Sequence, residues 1–465
     1  MKGYLLLLSS ILLVSVASWA QPGSVEWSVT LDGTRAYPFG LASAPEGGYI
    51  VCGSGDTGLG PDEHGFVAKV NPRGEIEWQA EYPYSSLGSV ATISDGYVFA
   101  GSRHPWSQEE DAWLLKLNFS GDTVWQQRVE RPGTQRLAAV LALGNGHIVG
   151  AGYADTSGNR DAYVIHADSA GNPLWERRLG TDSTTDEATA LAPAEDGEFY
   201  VGGFIGANLF VTRMDTQGDT IWSHVLALPQ LTKAYALERT ADGGVVAAGC
   251  SNCDIGACAV YLVKLYPYGL EQWFLTLETI EYSRAFDVLE MPDTSYVITG
   301  QTVNSQGGQA LLARVSPTTG TRWTISWPGV GGYGVLPSEN GGYVLAYQCA
   351  DSIVQDPACL LRTTPDGVQA VRERRDLSPS GIWLSASPNP FNSATTIRFD
   401  LPRAGEVRLE VFDVTGRRVR TLQEGMVKAG RHSVRLEAGD LPSGIYFARL
   451  QAGGQIRTQK LMLLK

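Results

Sequence analysis

Residues 168–175 read DSAGNPLW, a tight turn followed by a strand that carries a tryptophan. The same glycine-to-tryptophan step of four residues recurs along the chain, with successive tryptophans 47 to 51 residues apart. A period near 50 residues, with several short strand signals in each unit, is typical of β-propeller blades. The matching pairs are Gly23/Trp27, Gly74/Trp78, Gly121/Trp125, Gly171/Trp175, Gly218/Trp222 and Gly269/Trp273, then a shorter Gly320/Trp323 and a degraded Gly367/Val371.

Each unit has the pattern of four strands joined by glycine turns. In the second unit the predicted strands are 86–93, 96–101, 112–117 and an outer strand around Trp125. Glycine recurs in the tight turns because such turns require a positive φ. Seven complete units fit between residues 37 and 376, and a lone strand, 25–30, precedes them. We therefore predict that the N-terminal strand pairs into the seventh blade and removes its open edge.

Composition agrees with an all-β exported protein. The 465 residues include 54 Gly and 23 Pro, 43% are apolar and 18% are charged, which excludes coiled coils and long disordered tails. Residues 1–376 carry 23 Lys and Arg against 42 Asp and Glu, whereas residues 377–465 carry 13 against 7. The acidic larger part argues against a nucleic-acid partner, because binding phosphates requires an excess of Lys and Arg.

The N-terminus has the pattern of a secretory signal peptide. Lys2 precedes an apolar run from 5 to 16, and small residues at Ser18 and Ala20 predict cleavage before Gln21. No later stretch approaches 18 consecutive apolar residues, so we expect no transmembrane segment in the mature chain.

Six cysteines in an exported chain indicate disulfides. Two pairs flank equivalent variable loops, which predicts the bridges Cys250–Cys258 and Cys349–Cys359. Cys253 could replace either partner of the first pair, and we expect Cys52 to be a buried free thiol.

The loops between second and third strands vary most in length, and we expect them to surround the channel mouth on the face that binds a ligand. His104 and Trp106 lie in one of these loops, and Trp106 either stacks on a sugar or peptide group or folds over its own loop. The carboxylates available on this face for catalysis on a polysaccharide are Asp62, Glu63, Glu109 and Glu110.

A second ring of polar residues occupies equivalent positions at the start of successive first strands. Its charged members are Arg136, Glu187, Lys233 and Arg284. They either neutralise one another around the channel mouth or clamp a polar ligand. No metal-binding spacing, phosphate loop or nucleophile motif occurs, so we expect no metal and no cofactor, and catalysis has no sequence support.

The DSAGNPLW stretch and its repeats resemble the tryptophan-docking motif of quinoprotein-like propellers. That resemblance covers about 350 residues and implies a propeller fold. Quinoprotein dehydrogenases generally have eight blades and an adjacent cysteine pair beneath the cofactor, and this sequence has neither, which argues against quinone-dependent catalysis.

The C-terminal module resembles the type A sorting domain of the type IX (Por) secretion system. The matching segments are SPNPFN at 387–392, 407–417, GIYF at 444–447 and the terminal KLMLLK at 460–465. The resemblance implies export across a bacterial outer membrane through the type IX machinery, often with removal of the domain and attachment to surface lipopolysaccharide. The alternative is a generic immunoglobulin-like stalk similar to the flagellar hook-capping sandwich.

The sequence thus predicts an all-β protein, a seven-bladed β-propeller followed by a small immunoglobulin-like β-sandwich. The predicted parts are a signal peptide (1–20), the propeller (21–376), a linker (377–383) and the sorting domain (384–465). We expect a secreted or outer-membrane surface protein of a Gram-negative bacterium whose propeller binds glycan or protein without catalysis. The alternative is a secreted propeller enzyme that acts on polysaccharide.

Overall fold

A computed structural model describes residues 25–464 except for a set of segments and single positions: 33–34, 57–62, 105–108, 157, 182–183, 227–231, 252–257, 278–281, 305–306, 319, 351–355, 365–382, 388, 390, 402, 429 and 454. Every regular element in the described residues is a β-strand. The all-β prediction is therefore confirmed. No helix that is long and apolar enough to cross a bilayer occurs in this described part.

Five antiparallel sheets of four strands follow one another along the chain. The first is β2 (Arg35–Ser43), β3 (Tyr49–Asp56), β4 (His64–Val70) and β5 (Ile76–Pro83), and the second is β6 (Ser85–Ile93), β7 (Gly96–Arg103), β8 (Asp111–Leu117) and β9 (Thr123–Val129). The third is β10 (Thr134–Ala142), β11 (Ile148–Thr156), β12 (Asn159–Ala167) and β13 (Pro173–Leu179). The fourth is β14 (Asp186–Pro193), β15 (Phe199–Ile205), β16 (Asn208–Met214) and β17 (Thr220–Leu226), and the fifth is β18 (Thr232–Arg239), β19 (Val245–Ser251), β20 (Ala259–Leu265) and β21 (Glu271–Leu277). Sheets of this size in this order fit propeller blades.

A seven-stranded sheet completes the series. It contains β1 (Val25–Asp32), β22 (Tyr282–Glu290), β23 (Tyr296–Asn304), β24 (Gly307–Ser316), β25 (Gly320–Pro337), β26 (Tyr343–Cys349) and β27 (Ala358–Thr363), in the order β1-β27-β26-β25-β24-β23-β22. The 18-residue strand β25 pairs with β24 through its first half and with β26 through its second half. Two four-stranded units therefore share this one strand, which the repeat spacing alone did not predict.

The N-terminal strand closes the series of sheets. β1 pairs antiparallel with β27, and Arg362 on β27 forms an ion pair with Glu26 at 3.1 Å. The first strands of successive sheets contact one another, and β2 contacts β25 and β26, so the last sheet meets the first. The prediction that the N-terminal strand pairs with the end of the repeat region is confirmed. The predicted degraded outer strand, 367–374, lies outside the described residues.

The recurring tryptophans join neighbouring sheets. Trp125 on β9 packs against the turn between β12 and β13, and its Nε1 donates a hydrogen bond to the Ser169 carbonyl at 3.2 Å. Gly171 in that turn has φ of +83°, and a Cβ there would lie 2.7 Å from the Trp125 ring. Glycine thus meets two requirements at once, a left-handed backbone and space for the neighbouring indole.

A β-bulge interrupts the first strand of every unit. The register against the second strand shifts at the same place in each unit, and at least one first-strand residue there has no pairing partner. Bulges re-aim side chains and are frequent beside functional sites. The equivalent unpaired position in the seven units holds Phe39, Gly88, Ala138, Thr189, Tyr235, Phe286 and Tyr333.

The C-terminal part has two sheets. One contains β28 (Trp383–Ser387), β29 (Ala394–Leu401) and β32 (Gly430–Glu437), and the other β30 (Gly405–Asp413), β31 (Arg418–Val427), β33 (Gly444–Ala452) and β34 (Gln455–Leu463). Buried residues of both sheets form one apolar cluster, which includes Phe399, Leu409 and Leu461. Asn389 of the SPNPFN segment holds the last strand, because its Oδ1 accepts a hydrogen bond from the Met462 N–H at 2.8 Å.

The cysteines agree with the sequence prediction in three respects. Cys349 and Cys359 form a disulfide with Cα atoms 5.9 Å apart. Cys52 is a buried free thiol, and burial raises its pKa far above the ordinary value. Cys250 and Cys258 are each disulfide-bonded, whereas Cys253 lies outside the described residues, so their pairing with each other stays a prediction.

Candidate functional site

A cavity of about 410 Å³ opens where the first three sheets meet. Tyr37 and Phe39 on β2 supply aromatic surface, and His104 after β7 and Arg136 on β10 supply polar groups. The remaining lining residues, all from the first sheet, are Ser54, Gly55, Asp56 and Glu63. We call this the mouth cavity. Two of the predicted site residues, His104 and Arg136, are thus brought together, whereas Trp106 and Asp62 lie outside the described residues.

Small residues in the second sheet make room for this cavity. Its first strand reads SSLG at 85–88, and a Cβ at Gly88 would lie 3.0 Å from the carbonyls of Leu137 and Ala138 on β10. Strand β10 therefore approaches closely, and Arg136 reaches over the second sheet to donate a hydrogen bond from Nη2 to the Ser86 hydroxyl at 2.9 Å. A larger residue at position 86 or 88 would obstruct this approach.

Polar atoms in and beside the mouth cavity have unused hydrogen-bonding capacity. The Ser54 hydroxyl donates to Glu63 Oε1 at 2.7 Å, which fixes that carboxylate. In contrast, Nδ1 of His104, Oε2 of Glu110 and the Ser102 hydroxyl are buried and have no hydrogen-bond partner among the described residues. Buried polar atoms are normally paired, so these atoms are suited to a ligand or water.

A charged network continues from Arg136 toward the fourth sheet. Glu187 on β14 forms an ion pair with Arg160 on β12, and the Arg160 guanidinium lies 3.9 Å from the centre of the Tyr153 ring. Burial, with a smaller effect of the nearby Glu110 carboxylate, raises the pKa of Tyr153. Glu187 is therefore neutralised by an arginine of the adjacent sheet.

The ring of equivalent polar positions exists, but its members are not paired with one another. Arg136, Glu187, Lys233 and Arg284 all stand just before the bulge of their strands. Lys233 Nζ lies 4.5 Å from the centre of the Phe204 ring, and the Arg284 guanidinium lies 4.7 Å from that of Tyr282. Among the described residues, no hydrogen bond or ion pair joins two ring members, and whether the ring clamps a polar ligand stays a prediction. Lys233, Arg284 and Glu187 also do not line the mouth cavity.

Aromatic side chains at the bulges form an arc that sequence analysis missed. Tyr235 contacts Phe286 edge-to-face at 5.3 Å, Phe286 stacks on Tyr333 at 5.1 Å, and Tyr333 meets Phe39 at 5.6 Å. Tyr37 stacks on Phe39 at 5.7 Å and connects this aromatic arc to the mouth cavity. The bulges of the second, third and fourth sheets carry Gly88, Ala138 and Thr189 instead. The ring of first strands is therefore aromatic on one side and small on the other.

Two acidic side chains lie on strands that contribute to the aromatic arc, Glu238 on β18 and Asp287 on β22. Asp287 accepts hydrogen bonds from the backbone N–H groups of Val288 and Val335, each at 2.8 Å, and burial raises its pKa to about 6. Burial also raises the pKa of Glu238 to about 7, with added repulsion from Asp287 and Glu290. Positions equivalent to Glu238 hold Ala42, Ala91, Leu141, Ala192, Leu289 and Leu336 in the other units. An acid at a position that is otherwise apolar was detectable once the units were aligned.

An ion-paired cation recurs at the strand position that pairs with the repeat tryptophan. In six of the seven units a cation lies opposite the repeat tryptophan, as Lys69 does opposite Trp78, and forms an ion pair with a carboxylate. The pairs are Lys69–Glu46, Lys116–Asp95, Arg213–Glu198, Lys264–Asp242, Arg314–Asp293 and Arg362–Glu26. In the third unit the cation is replaced by His166, opposite Trp175. The sequence alone could have revealed this position, because the residue opposite the tryptophan precedes it by nine positions in all units from Trp78 to Trp323.

Comparison with known proteins identifies both parts of the chain. The family model described as outer membrane protein assembly factor BamB, a quinoprotein-like repeat family, matches residues 63–261 and 110–354. The chain belongs to this repeat family. The model of the secretion system C-terminal sorting domain matches residues 385–464. A type IX sorting tail is therefore fused to a quinoprotein-like repeat domain, and the protein is secreted or displayed on the surface of a Gram-negative bacterium.

The chain also resembles solved structures at low identity. One is a protein of unknown function from Bacteroides caccae (13% identity, 59% of this chain and 93% of that chain, TM-score 0.39). Another is Sqt1 from Chaetomium thermophilum (11%, 75% and 100%, TM-score 0.45). A third is BBS1N in complex with ARL6DN (10%, 74% and 97%, TM-score 0.48). No curated protein matches the chain.

Proposed function

We propose that the protein is a secreted or surface-displayed binding protein whose mouth cavity binds a glycan. The carrying observation is the composition of this cavity, in which two aromatic side chains lie beside carboxylate, imidazole, hydroxyl and guanidinium groups. Sugars present apolar C–H faces and many hydroxyls, so aromatic surface flanked by hydrogen-bonding groups suits them. In this proposal the repeat domain is a seven-bladed propeller, with the shared strand β25 ending the sixth blade and beginning the seventh.

The rest of the chain delivers this domain. We propose that a signal peptide at 1–20 directs export to the periplasm and that the two C-terminal sheets form an immunoglobulin-like sandwich recognised by the type IX machinery. A linker at 377–383 would connect the two parts. The apolar core shared by the two C-terminal sheets, and the hydrogen bond from the Met462 N–H to Asn389, support a tail that folds as a unit.

A glycan array followed by calorimetry tests the binding proposal. We expect a hit whose affinity falls by about 10- to 100-fold in Arg136→Ala and in Tyr37→Ala, the loss expected for an interaction worth about 1.4–2.8 kcal/mol. Arg178→Ala is the matched control, because Arg178 is an arginine outside the mouth cavity that pairs with Asp161 at 3.1 Å. Equal affinities in all variants would place the glycan elsewhere. No glycan hit, with capture of a defined polypeptide that Arg136→Ala abolishes, would show a protein ligand.

One observation favours the alternative, cleavage of a polysaccharide. Glu63 lines the mouth cavity and its carboxylate is oriented by Ser54. Glu110 offers a second carboxylate nearby, with one oxygen buried and unpartnered, whereas Glu109 is exposed. Turnover on a polysaccharide panel that is lost in both Glu63→Gln and Glu110→Gln would establish this function, and binding without turnover would exclude it for that panel.

A further inference from the structure

The third unit lacks the ion pair that lies opposite the repeat tryptophan in the other units. Where the fourth unit has the ion pair of Arg213 and Glu198, the third has His166 and His147. The positions correspond in two ways. His166 and Arg213 each lie opposite the repeat tryptophan of their unit. His147 and Glu198 each stand two positions before the second-strand residue that pairs with that His166 or Arg213. A repulsive or neutral pair of imidazoles has replaced a cation and an anion.

A hydrogen bond joins the facing nitrogens of the two rings, and either ring can be the donor. Nδ1 of His147 lies 3.1 Å from Nε2 of His166. Two imidazole nitrogens bound to one Zn²⁺ at about 2.0–2.1 Å are separated by about 2.9 Å at a right angle and about 3.3 Å at the tetrahedral angle. The observed separation lies between these limits, so the distance between the two nitrogens suits an ion that takes the place of the shared proton.

The surroundings of His166 favour this role over that of a protonated pair. The side chain is 3% exposed and packs against Trp175, with ring centres 5.2 Å apart. A metal-bound imidazole is neutral, and its outer N–H commonly points at a backbone carbonyl. Nδ1 of His166 is buried without a regular hydrogen-bond partner, so it can hold that proton.

We propose that His147 and His166 form a binding site for a divalent metal ion that prefers imidazole, such as Zn²⁺. His147 is half-buried and stands directly before β11, so its ring is partly open to solvent. Each ring stays neutral, with its proton on the outer nitrogen, and the inner nitrogens bind the ion. The described residues contain no group of three or more His, Cys, Asp or Glu with metal-site geometry, so water completes the coordination.

Zinc titration of tag-free protein by calorimetry tests this site. We expect one Zn²⁺ per chain and an affinity at least about 10- to 100-fold lower in His147→Glu/His166→Arg, since even loss of an outer partner has an effect of that size. This double variant recreates the Glu198–Arg213 pair of the next unit, so we expect it to fold. His224→Gln is the control, because His224 is a half-buried histidine of the fourth sheet outside the pair.

Equal zinc binding in the double variant, or no saturable binding by the natural protein, would overturn the proposal. If the double variant fails to fold, anomalous diffraction from zinc-soaked crystals of the natural protein decides. An anomalous peak about 2.0–2.2 Å from both nitrogens supports the site, and a peak elsewhere or none refutes it.

Discussion

Replacement of Gly171 by alanine tests how neighbouring sheets are held together. Gly171 adopts φ of +83°, and an added Cβ would meet the Trp125 ring at 2.7 Å. The left-handed backbone costs an L-residue about 1–2 kcal/mol. Overpacking of a close contact adds about 1–3 kcal/mol. We therefore expect Gly171→Ala to lower the free energy of unfolding by about 2–5 kcal/mol.

The chain offers a matched control for the backbone effect. Gly146 has φ of +81°, but the nearest atom to an added Cβ there is Ser169 Cβ at 3.6 Å. Gly146→Ala should therefore cost only the backbone effect, about 1–2 kcal/mol. In a Trp125→Ala background, where the ring is absent, Gly171→Ala should approach the same value.

Urea unfolding followed by circular dichroism measures these differences on the isolated variants. We expect Gly171→Ala to be more destabilising than Gly146→Ala, and the excess to disappear in the Trp125→Ala background. If both glycine variants unfold at the same urea concentration, the tryptophan does not fill the turn of the next sheet as described.

Three further predictions follow. Burial raises the pKa of Glu238 from 4.5 to about 7, so its ionisation opposes folding and the free energy of unfolding falls as pH rises through that window. Glu238→Gln should therefore stabilise the protein by about 1–3 kcal/mol at pH 8 and leave it unchanged at pH 4 in thermal scans, and a gain at pH 4 as large as that at pH 8 would contradict this. Removal of the Cys349–Cys359 disulfide by serine substitution should cost about 2–3 kcal/mol, because the bridge closes a ten-residue separation, and an unchanged unfolding midpoint would contradict it. Deletion of residues 385–464 should retain the protein in the periplasm on cell fractionation, whereas normal surface delivery would refute the sorting role.

The repeat made much of the fold predictable from sequence. The spacing of Trp78, Trp125 and Trp175 located one sheet per period, and the lone strand 25–30 implied the pairing of β1 with β27 that the structure shows. Cys349 and Cys359 could be paired because they flank one loop between strands that must be neighbours. The shared strand β25 could not be anticipated, because joining two units through one continuous strand depends on backbone direction rather than composition.

The candidate site was predictable only in part. His104 and Arg136 were selected because of loop length and strand position, and the structure places both in the mouth cavity. The aromatic arc was missed, because Tyr235, Phe286 and Tyr333 meet only through the bulges, which alternation of apolar residues does not reveal. Contacts such as Glu187 with Arg160 depend on side-chain reach between sheets, so sequence position alone did not identify the partner.

The central claim, that the mouth cavity binds a glycan, is tested most directly by a crystal structure with the highest-affinity array ligand. We expect a sugar ring in contact with Tyr37 or Phe39 and within hydrogen-bond distance of Arg136. A sugar bound on the outer strands, or at the opposite end of the first strands, would contradict it.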